Sequence, residues 1–140
     1  MTQFQPYLFF GGNAREAFTR YQEVFGGELD LVTNLDMPAE ERMEGADDDA
    51  VMHANLAVGD TALMGSDDPT SDPFPPPQSM RVHVGLPSME EASKAFDALA
   101  EGGEVQMPFG PVSWSPGFGM LVDRFGTPWM ISADVSVEGG

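Results

Sequence analysis

The sequence predicts an α+β fold built from one strand–helix–three-strand (βαβββ) unit used twice. Three observations predict it. Asn13, Glu16, Ala17 and Tyr21 correspond to Ser88, Glu91, Ala92 and Phe96 at a constant 75-residue offset (13 to 88). Gly59, Leu63, Met64 and Asp67 correspond to Gly126, Met130, Ile131 and Asp134 at a 67-residue offset (59 to 126). Between these landmarks, apolar runs, helix caps and glycine stops follow one order in both halves. The smaller second offset gives the first half the longer central loop.

Each element has its own local reason. Phe4, Tyr7, Leu8, Phe9 and Phe10 form a short apolar run closed by Gly11-Gly12, which reads as a buried strand. Asn13 with Glu16 three residues on reads as a helix start. Ala14, Ala17, Phe18, Tyr21 and Phe25 keep helical spacing until Gly26-Gly27 stops them. Leu29–Leu35 fits a strand, and Asp36–Asp49 an acidic loop. Val51–Val58 and Thr61–Met64 read as strands joined by the Gly59-Asp60 hairpin signal. A Pro/Asp-rich linker at 68–79, with Pro75-Pro76-Pro77 at its centre, then separates modules at about 4–67 and 80–134 of a single domain, 1–140. The order restarts with a strand at Met80–Leu86 and a capping box at Ser88–Glu91. The next helix buries Ala92, Ala95, Phe96 and Leu99 and stops at Gly102-Gly103. Strands at Glu104–Met107, Phe118–Asp123 and Pro128–Ala133 follow, the first two separated by a loop at Pro108–Pro116.

Composition narrows the function. The 140 residues carry 23 acids against six bases, a net charge of −17, with no cysteine. Such a surface disfavours nucleic acid and anionic membranes, both of which need clustered Lys and Arg. Disulfides, thiolate nucleophiles and Cys-ligated zinc are excluded. Neither a membrane-length apolar run nor a secretory leader pattern is visible, so a cytoplasmic location is expected. Ten of the 23 acids fall in Asp36–Asp49 and Asp67–Asp72, with Arg42 the single base there. That distribution reads as a solvated, salt-adapted exterior rather than a cation-binding site, and lysine occurs only at Lys94.

The run Pro6–Phe10, Asn13–Phe18, Tyr21 and Val24–Gly27 resembles the vicinal oxygen chelate superfamily, the glyoxalase/bleomycin-resistance fold. The closer resemblance is to its PhnB-like branch. Val51–Leu56, Gly59-Asp60, Phe109, Trp114, Phe118–Met120, Val122-Asp123, Phe125-Gly126 and Pro128-Trp129 stand in that branch's order. The resemblance implies curved mixed sheets that together enclose a cavity, within a homodimer. Metal-dependent members of the superfamily use His and Glu ligands from the first and last strands of each module. Alignment on helix caps and turns sets those positions near Pro6, Arg81, Leu63 and Met130, none of which offers an imidazole or carboxylate. No inherited metal site and no cofactor are therefore expected.

The remaining polar candidates are few. His53 and His83 are the only histidines, both on predicted strands. His53 alternates with Asn55, so the two share a sheet face. There they suit hydrogen bonding to a ligand, or proton transfer by His53 as the candidate catalytic group. The alternative is a histidine satisfied at a sheet or dimer contact. Arg81 suits a carboxylate or phosphate if it points inward. Trp114 and Phe118, in the Pro/Gly-rich stretch, suit an apolar wall, and Met130 a soft lining. P-loop, dinucleotide-loop and nucleophile-elbow patterns are absent. The expected function is metal-independent binding of a small molecule. The alternatives are a glyoxalase- or dioxygenase-like enzyme with a relocated metal, and the methyltransferase implied by the label common in the PhnB-like branch.

Overall fold

The structure, a computed structural model, describes residues 4–42, 47–67 and 80–133. The linker at 68–79, part of the acidic loop and Asp134 lie outside the described residues. The chain divides into two compact units, Met1–Phe74 and Pro75–Gly140. In the first, β1 (Tyr7–Phe10), α1 (Ala14–Phe25), β2 (Glu28–Thr33), β3 (Val51–Val58) and β4 (Thr61–Asp67) follow in order. A single 3-10 turn at Ala39–Glu41 interrupts the long β2–β3 connection. In the second, β5 (Val82–Leu86), α2 (Met89–Ala100), β6 (Glu104–Val112), β7 (Ser115–Val122) and β8 (Pro128–Ala133) repeat that order.

Each unit is one mixed four-stranded sheet with a helix on one face. Strand order is β1-β4-β3-β2 in the first and β5-β8-β7-β6 in the second. The first and last strands of a unit pair in parallel, and the remaining neighbours are antiparallel. Neither sheet closes on itself. The helices bury the apolar faces that the spacing predicts. Ala14, Ala17, Phe18 and Tyr21 are sealed against the first sheet, and Ala92, Ala95, Phe96 and Leu99 against the second. Gly65 and Gly119 let the helices approach closely. A Cβ at Gly65 would lie 2.8 Å from the Phe18 ring, and one at Gly119 2.7 Å from the Phe96 ring.

Four expectations need correction. The first strand is half-buried rather than buried: Leu8 and Phe10 face the helix, Tyr7 and Phe9 face away, and Phe4 is exposed outside the strand. Adding a β4 neighbour gives β1 only one covered side, so its apolar run is an alternation between two kinds of surface.

The start of α1 is capped from a distance. The Asn13 side chain makes no cap bond. Instead the Asp67 Oδ1, at the end of β4, accepts from the backbone N–H of Ala14 (2.8 Å) and of Gly12 (3.2 Å). Its Oδ2 accepts from Val51 N–H at 3.1 Å. Asp67 is thus a buried keystone joining β4, α1 and β3, and does not belong to the solvated acidic exterior. By contrast Ser88 caps α2 as its sequence implies, accepting from Glu91 N–H at 3.1 Å.

The Pro108–Pro116 stretch is a β-hairpin rather than a loop. Strand β6 runs through both Pro108 and Pro111 to Val112, with register shifts on either side of Met107 and Gly110. Prolines are tolerated because β6 is an edge strand and its irregular register places them where no ladder bond is required. The boundaries of β2 and β4 also move: β2 ends at Thr33, and β4 extends to Asp67.

Candidate functional site

Each sheet has a helix-covered face and an open face, and strand alternation decides which residues reach the latter. In the first unit Gly65 abuts the helix, so Ala54, its β3 partner, faces the helix too. His53 and Asn55 therefore share the open face, as their alternation predicts. Register aligns Tyr7, Met64 and Asn55 in one row across β1, β4 and β3. Asp30 of β2 continues that row, and Val32 lies opposite His53.

Two side chains meet across β4. The Tyr7 hydroxyl and His53 Nδ1 are 3.3 Å apart, and their rings 5.8 Å. Phe9 packs beside Tyr7 with ring centroids 5.3 Å apart. His53 is thus half-buried against an aromatic pair, with a phenol as its hydrogen-bond partner. Sequence reasoning missed Tyr7. The available signal was that Tyr7 and Phe9 alternate with the two residues that pack on α1.

The second unit repeats the geometry with different chemistry. His83, Met130, Met120 and Met107 form one row across β5, β8, β7 and β6. Gly85, Ser132, Phe118 and Gly110 form the next. His83 Nε2 and the Ser132 hydroxyl are 2.9 Å apart. Trp114 occupies the two-residue turn between β6 and β7, where its exposed ring stands edge-on to buried Phe118, centroids 5.4 Å apart at 70°. Phe118 lies in β7, within the strand predicted at Phe118–Asp123, whereas Phe109 lies in β6 and not in the expected loop. Phe109 turns to the helix face and packs on Phe96.

Arg81 directly precedes β5. Its Nη1 donates to the backbone carbonyls of Leu121 and Trp129, both at 3.4 Å, and its Nη2 donates to Gln106 Oε1. The guanidinium therefore lies across the strands of the second sheet instead of projecting from an edge. All seven sequence-selected residues are accounted for. Arg81, His83, Trp114, Phe118 and Met130 are associated with the second sheet, and His53 and Asn55 with the first.

Register also corrects the correspondence between units. Tyr7 pairs with Met64 as His83 pairs with Met130, whereas Leu63 pairs with Leu56 on the helix face. Met64, not Leu63, is the counterpart of Met130, and Tyr7 that of His83. The turn-based alignment slips by one residue because the β3–β4 turn is shorter than the β7–β8 turn, where Asp123 Oδ1 accepts from Phe125 and Thr127 N–H. The corresponding open-face pairs of the first and last strands are thus Tyr7 with Met64 and His83 with Met130, with one imidazole among them. Among the described residues no three His, Asp or Glu side chains gather to hold an ion, and no helix is long and apolar enough to cross a membrane.

Comparison with known proteins covers nearly the whole chain. A family model described as 3-demethylubiquinone-9 3-methyltransferase matches residues 2–132. Protein YjdN of Escherichia coli (strain K12) is 32% identical over 91% of this chain and 92% of its own. The crystal structure of protein PA1353 from Pseudomonas aeruginosa superposes with a TM-score of 0.86 at 43% identity, covering 97% of this chain and 100% of that one. The PhnB protein from Bacillus cereus, described as a putative 3-demethylubiquinone-9 3-methyltransferase, gives 0.74 at 25% identity, covering 94% and 99%. A fosfomycin resistance protein and a glyoxalase-related enzyme share the fold at TM-scores of 0.63 and 0.58, with 12% and 15% identity.

Proposed function

The chain belongs to the family described as 3-demethylubiquinone-9 3-methyltransferase, the PhnB-like branch of the vicinal oxygen chelate superfamily, and from that premise we propose that it binds a small molecule on its open sheet faces without requiring a metal. One observation carries this reading. The helix-free face of the second sheet sets polar heads (Arg81, His83, Ser132) beside a row of methionines and an aromatic pair. A few fixed polar groups in a mostly apolar lining is the composition of a ligand site.

Chemically, the apolar row supplies burial, and the polar heads fix orientation. In the first unit, the Tyr7–His53 pair offers hydrogen bonds and a route for a proton between phenol and imidazole. A glyoxalase-like reaction at a relocated metal is the second reading. His53 or His83 would be its nitrogen donor, but each is held by a neutral hydroxyl partner, Tyr7 or Ser132, and among the described residues no group of three His, Asp or Glu gathers around either. That donor set fits a divalent metal poorly. Methyl transfer has only the family's description behind it. A homodimer and a cytoplasmic location complete the proposal; both rest on the superfamily resemblance and on the sequence.

Thermal-shift screening against a broad panel of neutral and charged metabolites tests the reading. A saturable shift that survives chelator treatment is expected. A shift that appears only with added Zn, Ni, Fe or Mn supports the second reading instead. Binding of S-adenosylmethionine at micromolar affinity supports the methyltransferase description. Silence across the panel overturns the binding proposal.

A further inference from the structure

The chain has six basic residues against 23 acids, so the position of each base is informative. Arg20 pairs with Glu23 at 3.3 Å. Arg42 donates to the carbonyls of Met37 and Leu35 outside the sheets. Arg15 reaches the carbonyl of Asp49, and Arg124 lies over the ring of its neighbour Phe125. Arg81 alone among the five arginines lies across a sheet. Its partners are two carbonyls and an amide oxygen, and among the described residues no carboxylate forms an ion pair with it.

A guanidinium held only by carbonyl and amide dipoles has no counter-charge among its partners. In a protein with this surplus of acids, a structural arginine has carboxylates in plenty to pair with. Glu104 is the nearest acid in register, on the edge strand opposite Val122, and it makes no ion pair with Arg81. Nη1 is engaged by the two carbonyls and Nη2 by the Gln106 amide oxygen, and together these bonds hold the fork across the strands. Two residues on, His83 adds a ring nitrogen donor, about 7 Å along the strand. Its Nε2 is paired with the Ser132 hydroxyl, so a neutral imidazole leaves the pair one outward donor, the Nδ1–H or the hydroxyl.

We propose that Arg81, His83 and Ser132 form a subsite for the anionic head of an amphipathic ligand, a carboxylate or another oxyanion. The ligand's apolar body then lies along Met130, Met120 and Phe118. This rests on the reading above that the protein binds a small molecule on its open faces. The net charge of −17 repels a free anion at long range, so selectivity comes from contact donors rather than from steering. A ligand with a large apolar body offsets that repulsion, and the adjoining row supplies the apolar surface.

Two dyes with one aromatic body separate the possibilities. 8-Anilinonaphthalene-1-sulfonate carries an oxyanion, and N-phenyl-1-naphthylamine is the same framework without it. Fluorescence titration of the full chain is expected to show saturable binding of both, with the sulfonate at least about tenfold tighter, the worth of a charge-assisted hydrogen bond. Arg81→Gln weakens the sulfonate about tenfold and leaves the neutral dye unchanged, while Arg81→Lys stays within about threefold of wild type. Equal affinity for the two dyes, or no effect of Arg81→Gln on the sulfonate, overturns the anion subsite and leaves small-molecule binding standing. Failure of both dyes to saturate overturns both. Circular dichroism reports whether Arg81→Gln folds; if it does not, the wild-type comparison and Arg81→Lys decide.

Discussion

Removing the Asp67 carboxylate should cost the first unit far more than removing the residue that its sequence nominates as helix cap. Asp67→Ala strips the acceptor from three backbone donors at once. The N–H groups of Ala14 and Val51 are buried, and that of Gly12 is partly so. An orphaned buried donor costs about 1–3 kcal/mol, so the two buried ones alone predict a loss of roughly 2–6 kcal/mol. Asp67→Asn keeps one acceptor oxygen and should lose about 1–3 kcal/mol. Asn13→Ala, which removes no cap bond, should cost less than about 0.5 kcal/mol, against about 1 kcal/mol for a working cap. Urea unfolding gives the free energies, and hydrogen exchange at the Ala14 and Val51 amides localises the effect. An Asp67→Ala loss below about 1 kcal/mol, or an Asn13→Ala loss as large as that of Asp67→Ala, refutes the reasoning.

Other expectations follow from single contacts. Gly65→Ala brings a Cβ to 2.6 Å from the Leu8 carbonyl oxygen and 2.8 Å from the Phe18 ring. The resulting overpacking should destabilise by about 1–3 kcal/mol in the same urea measurement, whereas Gly110→Ala meets open space and should cost little. Thr33 holds the Asp36 carboxyl below the ordinary aspartate range, through its backbone N–H and then its hydroxyl. A depressed folded pKa means that the associated stability is present above the unfolded value and is lost as pH falls through the folded one. Wild type and Asp36→Asn should therefore differ most near neutrality and converge in acid, a modest effect because the group is exposed; curves that diverge on acidification contradict it.

How much was legible depended on the range of the interaction involved. Ala92, Ala95, Phe96 and Leu99 announced α2 because periodicity is local, and Ser88 capped it because its partner is three residues away. Asn13 carried the same local signature, yet a carboxylate 54 positions on took the role, which no window around the helix could reveal. The β6–β7 hairpin was hidden because Pro and Gly mark turns in isolation; only its edge position makes Pro108 and Pro111 compatible with a strand. At the candidate site, alternation was enough to place His53 with Asn55. Tyr7 was not legible as the partner of His53, because it arrives from a parallel strand across β4. Arg81's orientation was left open by the sequence and was settled by its carbonyl partners on β7 and β8.

The same prolines have a consequence for how copies of the protein meet. A sheet edge is a template: its unpaired N–H and C=O groups invite a strand from another molecule. Along β6, Pro108 and Pro111 each lack a donor, and the shifted register breaks what remains into short, unevenly spaced pieces. At an edge of the other sheet, β2 displays Glu28 and Asp30, which would oppose each other in an antiparallel self-pairing centred on Leu29. The two hairpin edges are therefore poor seeds for strand-by-strand growth, and a concentrated solution of this chain is protected at β6 by missing hydrogens and at β2 by like charge.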